Sequence, residues 1–184
     1  MRAQIVLSDP PWPQTKGNTR KCRPQQGKTL DYPTLTIEEI ETIHKNVLQG
    51  CDSKHNVFLW AIDKYLPEAE EMMKSLGYKL HARIIWDKEN GVAPAFTVRF
   101  SHEYLLWWYK PGNILMPIET QRGKFTTVMR EASEHHSQKP QCAYEMIEVM
   151  FPDAPKLELF ARRKRDGWEC LGNEIDGTDL RSIV

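Results

Sequence analysis

The chain has 184 residues, and its 25 lysines and arginines are balanced by 25 aspartates and glutamates, so the formal net charge is +0 at pH 7. This length fits one domain with a sizeable core, and no repeat or low-complexity stretch divides it, which predicts a single domain over residues 1–184. The balanced charge excludes a globally basic nucleic-acid-binding protein, so any signal for nucleic acid must be local.

The cysteines and the first residues indicate the compartment. The four cysteines are scattered and form no Cys-x-x-Cys pair, which argues against a zinc ribbon or a disulfide framework and favours a reducing cytoplasm. Residues 1–4 lead directly into an apolar run and leave no room for a signal peptide. No apolar run is long enough to cross a membrane. We therefore expect a cytoplasmic protein without a membrane association.

A short buried strand is predicted at residues 5–7, and Asp9-Pro10-Pro11-Trp12 follows it almost at once. The prolines hold Asp9 and Pro10 extended and lack N–H groups, so the tetrapeptide forms a stiff rim of acceptors beside an indole. Ligands of open α/β sheets bind at such strand ends. The Asp9 carboxylate and the Pro10 carbonyl can each accept one hydrogen of an aromatic amine, which frees the nitrogen lone pair, while Trp12 stacks on the ring. The alternative is that the prolines merely end the strand and Trp12 fills the core.

Residues 13–31 form a predicted loop that leaves directly from this rim. They are rich in proline and glycine, and they contain five cations and no acid before Asp31. Long loops in compact domains are usually functional or disordered. The cations could neutralise phosphates beside a base held at the rim, and the alternative is a solvated surface loop. The five cations are Lys16, Arg20, Lys21, Arg23 and Lys28.

Helices and strands alternate along the rest of the chain. Helices are predicted after the capping residue Thr36, at Leu66-Pro67 and at Lys139-Pro140. Further strands are predicted at residues 56–62, 79–86, 103–109 and 157–161. This alternation predicts an α/β fold with a mostly parallel sheet and helices on both faces. We expect His44, which lies within the first helix, at the surface or at an edge.

A second irregular region is predicted at about residues 111–136. It ends near His135 and His136, but no third ligand has a suitable spacing, so no metal site is predicted. The last predicted strand contains one acid, Glu158, and is followed by four cations at residues 162–165.

The order and spacing of several short motifs resemble the DPPW adenine-N6 methyltransferases, the family that includes the catalytic subunit of the eukaryotic mRNA adenosine methyltransferase. Each motif is weak alone, but together they are specific and cover nearly the whole chain. The matching segments are Asp9-Pro10-Pro11-Trp12, Phe58-Leu59-Trp60, Gly77-Tyr78-Lys79, Ile85-Trp86, His102-Glu103-Tyr104-Leu105-Leu106, Ser137-Gln138-Lys139-Pro140, Leu157-Glu158-Leu159-Phe160-Ala161-Arg162 and Gly172-Asn173-Glu174.

The resemblance implies a Rossmann-like, S-adenosylmethionine-dependent methyltransferase fold of seven strands in a permuted order, with the catalytic strand first and the cofactor strand last. The glycine-rich G-x-G-x-x-G motif is absent after Phe160, and in this family the strand end at Phe160 contacts the cofactor instead. The extra zinc-finger and partner-binding regions of the eukaryotic enzymes are also absent, which fits a compact prokaryotic or phage protein acting as a monomer or homodimer.

The family's functional residues map onto matching positions. Asp9, Pro10, Pro11 and Trp12 correspond to the catalytic motif, and Asp9 also borders the cofactor. Lys139 resembles the lysine that pairs with the cofactor's methionine carboxylate, and an ammonium at a helix start suits an anion. The other implied cofactor-binding residues are Glu158, Phe160, Arg162, Asn173 and Glu174. Glu158 would serve equally well as a buried, paired structural carboxylate, and Phe160 as plain core.

The implied reaction is methyl transfer to the N6 amine of adenine, and we expect DNA as the substrate because the chain is small. An adenine within a duplex would have to be flipped out to react. Two alternatives remain open. One is the same reaction on RNA, since recognition of the 2′-hydroxyl would lie in the loops. The other is a non-catalytic nucleic-acid-binding homologue, which is disfavoured because Asp9, Trp12, Lys139 and Asn173 are all present.

The cationic loop yields a direct test. Replacing Arg20, Lys21 and Arg23 together with neutral residues should weaken polynucleotide binding and reduce its salt dependence by roughly one unit of slope per lost phosphate contact. Binding measured by fluorescence anisotropy over a series of salt concentrations gives this slope. An unchanged slope would show that the loop is only solvated surface.

Overall fold

One seven-stranded sheet organises the computed structural model, which describes residues 2–13, 34–92, 98, 100–133, 138–177 and 179–183. The strand order is β5-β3-β4-β2-β1-β6-β7, and four of the six pairings are parallel. β4 is the exception, because it runs antiparallel to both β2 and β3. The strands are β1 (Ile5–Ser8), β2 (Asn56–Ala61), β3 (Lys79–Val92), β4 (Phe100–Tyr109), β5 (Val128–Arg130), β6 (Lys156–Leu159) and β7 (Trp168–Leu171).

Helices cover both faces of this sheet, as predicted. Alternate residues of a strand point to opposite faces. Thus Val6 of β1 packs in one core cluster with α1 (Ile37–Gly50) and α2 (Leu66–Ser75). Its neighbours Ile5 and Leu7 pack in a second cluster, with α3 (Gln141–Met150). No helix among the residues described is long and apolar enough to span a bilayer.

The helix starts follow local chemistry. Thr36 and Glu39 form the predicted capping box: the Thr36 hydroxyl accepts the Glu39 N–H at 3.2 Å, and the Glu39 carboxylate accepts the Thr36 N–H at 2.8 Å. α3 begins differently, because Glu131, which directly follows β5, accepts the N–H groups of Gln141 at 2.6 Å and Cys142 at 2.8 Å. This cap connects an edge strand to the helix that follows Lys139.

The structure corrects three sequence-based expectations. Residues 128–130, within the predicted second loop, form edge strand β5, so residues 111–136 are not irregular throughout. The strand that contains Glu158, β6, is not the last strand, because β7 follows it. His44 is fully buried rather than at the surface, since its ring lies between α1 and the end of β1. The permuted strand order that the resemblance implies is not among these corrections and stays a prediction.

Gly172 is needed where the ends of β6 and β7 come together. The Ala161 N–H donates to the Leu171 carbonyl at 3.0 Å. A Cβ atom on residue 172 would lie 2.1 Å from the Ala161 carbonyl oxygen, closer than real Cβ atoms approach any backbone atom. Gly172 therefore allows the short helix α4 (Asn173–Asp176) to start directly beside the end of β6.

Substituting Gly172 by alanine should lower the free energy of unfolding by about 1–3 kcal/mol, the usual cost of overpacking. Gly50→Ala is the matched control, because no atom lies within 4 Å of the added methyl group at that helix end. That control should change stability by less than about 1 kcal/mol. Urea denaturation of both variants measures the difference, and equal stabilities would refute the steric argument.

Candidate active site

The candidate site lies where β1 and β6 end side by side. Leu7 pairs with Glu158 and Ser8 with Leu159, so Asp9 and Phe160 emerge together at the carboxyl edge of the sheet. The Asp9 N–H donates to the Leu159 carbonyl at 3.4 Å. Carboxyl ends of adjacent parallel strands form the usual ligand crevice of open α/β sheets.

Two adjoining cavities at this edge contain every predicted cofactor-binding residue. The first has a volume of about 370 Å³, and the second has a volume of about 220 Å³. Asp9, Phe160, Arg162 and Glu174 line both cavities. Lys139 and Glu158 line the first, and Asn173 lines the second. The combined space is in the range of roughly 300–1,000 Å³ that small-molecule sites occupy.

A buried cluster of charges joins Asp9 to the neighbouring strands. Lys139 Nζ lies 2.9 Å from Asp9 Oδ1 and 3.1 Å from Glu103 Oε2. Glu103, on β4, also pairs with Lys88 of β3. Two carboxylates and two ammonium groups thus balance one another, as buried charges must. The Lys139 ammonium also lies over the Trp60 ring, 5.4 Å from its centroid.

Burial and ion pairing shift the pKa values of this cluster in opposite directions. Burial raises the pKa of Asp9, and Lys139 offsets only part of that effect. Burial would also raise the pKa of Glu103, but Lys139 and Lys88 together hold it below its usual value. The pKa of Lys139 is raised because its two carboxylate partners outweigh its burial, so Lys139 remains charged.

The two prolines place their carbonyl groups as acceptors, and both already hold one backbone bond. The Pro10 carbonyl accepts the Trp12 N–H at 2.8 Å, and the Pro11 carbonyl accepts the Leu35 N–H at 3.1 Å. A carbonyl oxygen has two lone pairs, so Pro10 keeps the capacity for one further hydrogen bond. Pro11 lines the second cavity together with Asp9.

Trp12 lies in the core, as the alternative interpretation proposed. Its side chain is 4% exposed and stacks on Tyr65 at a centroid distance of 5.7 Å, and its Nε1–H donates to the Trp60 carbonyl at 3.1 Å. Neither of the two cavities includes it among its lining residues. Trp12 thus packs in the core next to the Asp9–Pro10 rim. Its ring stacks on Tyr65 in this arrangement, whereas the prediction was stacking on a base.

Glu158 has both of the properties considered for it. It is buried and accepts the Tyr144 hydroxyl at 2.7 Å, which is the structural role. It also lines the first cavity. Burial raises its pKa, and the nearby Asp9 adds to the increase. Arg165 stacks over the Tyr144 ring at 4.3 Å from the centroid and thereby holds this pair in place.

The end of β6 bends sharply into the cleft. Phe160 has φ of +61°, a left-handed conformation that costs a non-glycine residue energy and that the surroundings must hold. This turn places Phe160 and Arg162 along both cavities. Arg162 Nε lies 3.6 Å from Glu174 Oε1, so the loop after β6 is tied to α4.

Glu103, Lys88 and Tyr144 belong to the site but were not predicted for it. A signal for Glu103 was present, since it lies in the segment His102-Glu103-Tyr104-Leu105-Leu106 that resembles the family. Other sequence predictions lie outside the described residues, and these include the five loop cations Lys16, Arg20, Lys21, Arg23 and Lys28 and the pair His135 and His136. Within the part of the chain that the structure describes, no group of three metal-ligating side chains is found.

The charge cluster predicts a pH-dependent stability for Lys139→Met. At neutral pH this variant leaves two buried carboxylates without their shared cation and should lose about 3–5 kcal/mol of stability. Without the cation both carboxyl groups have raised pKa values in the folded state, which then binds protons more tightly than the unfolded state. The loss should therefore shrink as the pH falls from about 7 to about 4.

Urea denaturation over this pH range measures the effect. Lys74→Met is the control, because Lys74 is exposed and pairs with Glu70 at 3.3 Å on the surface. It should cost less than about 1 kcal/mol at any pH. If Lys139→Met loses the same stability at every pH, the proposal that Lys139 compensates the charges of Asp9 and Glu103 is refuted.

Comparison with known proteins agrees with this geometry. The chain is 31% identical to an N(6)-adenosine-methyltransferase MT-A70-like protein of Arabidopsis thaliana, over 96% of the chain but 24% of that protein. The catalytic subunit METTL3 from Homo sapiens is 30% identical over 96% of the chain and 29% of its own length. The chain thus spans about a quarter of the length of such relatives. A Mycoplasma type II methyltransferase, M.MunI, is 25% identical over 94% of the chain and 77% of its own length.

The family assignment rests on a match to a whole family as well as to single relatives. The sequence profile of the MT-A70 family matches residues 3–174, which include both strands that build the cleft and every cofactor-binding residue predicted for it. The chain is therefore a member of the MT-A70 family of methyltransferases.

Proposed function

We propose that this chain transfers a methyl group from S-adenosylmethionine to the N6 amine of adenine in DNA. The observation that carries the proposal is the position of Asp9, which lines both of the cavities whose walls contain all the residues expected to bind the cofactor. Pro10 directly follows Asp9; it is buried and is not among the lining residues of either cavity, and its carbonyl oxygen is proposed as the second acceptor. The site thus combines a cofactor-sized cleft with acceptors for the two hydrogens of an amine.

The residues present fit this cofactor. S-adenosylmethionine carries a carboxylate, an ammonium, a ribose and an adenine, and the cleft offers cations, acids and an aromatic ring. Lys139 has three N–H donors. Its ammonium forms ion pairs with Asp9 at 2.9 Å and Glu103 at 3.1 Å, and two partners leave at least one donor for the carboxylate. Arg162, Asn173 and Glu174 supply polar groups for the ribose and adenine, and Phe160 supplies an apolar wall.

The chain's own groups prepare the amine. When bound, the cofactor supplies an electrophilic methyl group on a sulfonium sulfur. The Asp9 carboxylate and the free lone pair of the Pro10 carbonyl accept the two N–H bonds of the amine, which favours a pyramidal nitrogen with its lone pair available. Because burial raises the pKa of Asp9, its carboxylate is a stronger acceptor than an exposed one. Orientation and pre-placed acceptors therefore carry the catalysis.

The polymer is the second part of the proposal. The type II methyltransferase M.MunI is matched over most of its length, whereas the adenosine methyltransferases are matched over about a quarter of theirs, and this supports DNA. RNA is the alternative, because relatives that are 30% and 31% identical to the chain are named adenosine methyltransferases. Asp9 and Pro10 are proposed to contact only the amine, which DNA and RNA share, so these two residues do not distinguish the polymers.

Asp9→Asn tests the proposal directly. Replacing an anionic acceptor by an amide should lower methyl transfer by at least ~100-fold while cofactor binding survives, because the lost interaction is made mainly in the transition state. Transfer of labelled methyl to DNA and to RNA of matched sequence, followed by nucleoside mass spectrometry, identifies both the product and the polymer. Titration calorimetry with the cofactor is the control for folding and binding.

Three outcomes would contradict parts of the proposal. Methylcytosine as the product would refute the assignment of the amine, and full activity in Asp9→Asn would refute the role of that carboxylate. Transfer to RNA alone would replace DNA by RNA as the substrate.

A further inference from the structure

His44 is a buried side chain that the proposed reaction does not use. It lies on α1 with 0% of its surface exposed, and both of its ring nitrogens are hydrogen-bonded. Nδ1 lies 2.7 Å from the Ile40 carbonyl, which can only accept, so Nδ1 carries the hydrogen. Nε2 must then accept from the Ser8 hydroxyl at 2.9 Å. Burial lowers the pKa of His44 to about 4, so the ring is neutral near pH 7.

The partners of His44 are the ends of the two strands that build the site. Ser8 is the last residue of β1 and directly precedes Asp9. The His44 ring also lies beside Phe160, with centroids 5.9 Å apart. One imidazole therefore contacts both the residue before Asp9 and the left-handed residue that ends β6.

Core packing alone does not account for a buried imidazole with two hydrogen-bonded nitrogens at this position. An apolar side chain of similar size would fill the same space without burying two polar nitrogens, whose burial is costly unless both are bonded. An apolar side chain makes no directional contact. The fixed tautomer of His44, in contrast, holds the Ser8 hydroxyl and the plane of the imidazole ring in one orientation. The strained φ of Phe160 likewise persists only if neighbours hold it.

We propose that His44 is a positioning residue: by accepting from Ser8 and packing on Phe160, it fixes the Asp9 rim relative to the cofactor wall. This inference rests on the proposed function, because it concerns the geometry in which the amine meets the methyl group. His44 touches neither partner of that reaction and acts only through Ser8 and Phe160.

The chain contains a matched control at the other edge of the sheet. His55 is also buried, with Nδ1 at the Asp52 carbonyl and Nε2 2.6 Å from the Tyr78 hydroxyl. It therefore makes the same two kinds of hydrogen bond. However, it directly precedes β2, whose first residue Asn56 pairs with Ile5 at the amino end of β1. His55 thus shares the structural role of His44 without proximity to the cleft.

The first test compares His44→Leu, Ser8→Ala, His44→Gln and His55→Leu at a temperature where circular dichroism shows each to be folded. His44→Leu and Ser8→Ala should each lower kcat/KM for methyl transfer by about 10- to 100-fold, since small misplacement of reacting groups is that costly. The double variant should lose little more, because both changes remove one hydrogen bond. His44→Gln, whose amide oxygen can accept from Ser8, should recover most of the activity.

The control fixes the interpretation of this series. His55→Leu should keep kcat/KM within about 2-fold while losing stability comparable to that lost by His44→Leu, on the usual scale of a broken buried hydrogen bond. Equal activity in His44→Leu and His55→Leu would overturn the proposal, since His44 would then be structural only. Additive losses in the double variant would also overturn it.

A second measurement does not depend on the reaction. Hydrogen exchange measures how well the backbone amides of Trp12 and Leu35 are protected, and these amides donate to the Pro10 and Pro11 carbonyls. Their exchange should become faster in His44→Leu and remain unchanged in His55→Leu, and the reverse result would refute the positioning role. If the wild-type chain transfers no methyl group, the proposed function fails, and the exchange result still decides whether His44 holds the rim.

Discussion

Compensation of buried charge by Lys139 is the interaction on which the rest of the site depends. Asp9 and Glu103 come from strands separated by β2, and their carboxylates could not share one buried region without a cation between them. Lys139 reaches both because it lies just before α3, whose first turn is fixed by Glu131. The side chain that completes the site is thus placed by a cap from edge strand β5, at the far end of the sheet.

The cleft itself follows from two adjacent parallel strands ending at one edge. Asp9 follows β1 and Phe160 follows β6, and the register of the two strands brings these residues next to each other. Two backbone features then shape the space between them. The left-handed Phe160 turns the chain across the cleft, and Gly172 lets α4 approach so that Asn173 and Glu174 close the far side.

Local patterns explain which parts of this arrangement could be predicted. The acceptor rim and the capping box are each formed by residues of one short segment, and the strands that precede Asp9 and Phe160 are short, largely apolar runs. The resemblance to known methyltransferases supplied the predicted cofactor-binding residues, and all of them line the two cavities. The failures have two causes. β5 is a three-residue edge strand without an apolar pattern, and the Glu131 cap joins residues ten apart, so neither leaves a periodic signal. Trp12 entered the core because Tyr65, distant in sequence, covers its face.

Within the strands that the structure describes, the buried polar residues differ in their partners according to the edge on which they lie, although His55, which precedes β2 at the amino edge, bonds the Tyr78 hydroxyl. At the amino edge, Asn56 donates to the Leu115 carbonyl, and Lys156 donates to the Pro152 and Ala154 carbonyls, so these groups satisfy turns of the backbone. At the carboxyl edge, Ser8 bonds His44 and Glu158 bonds Tyr144, so side chains orient one another. A backbone partner stabilises the local fold, whereas a side-chain partner sets the direction of a functional group. The second arrangement is the one expected where geometry must be held for chemistry.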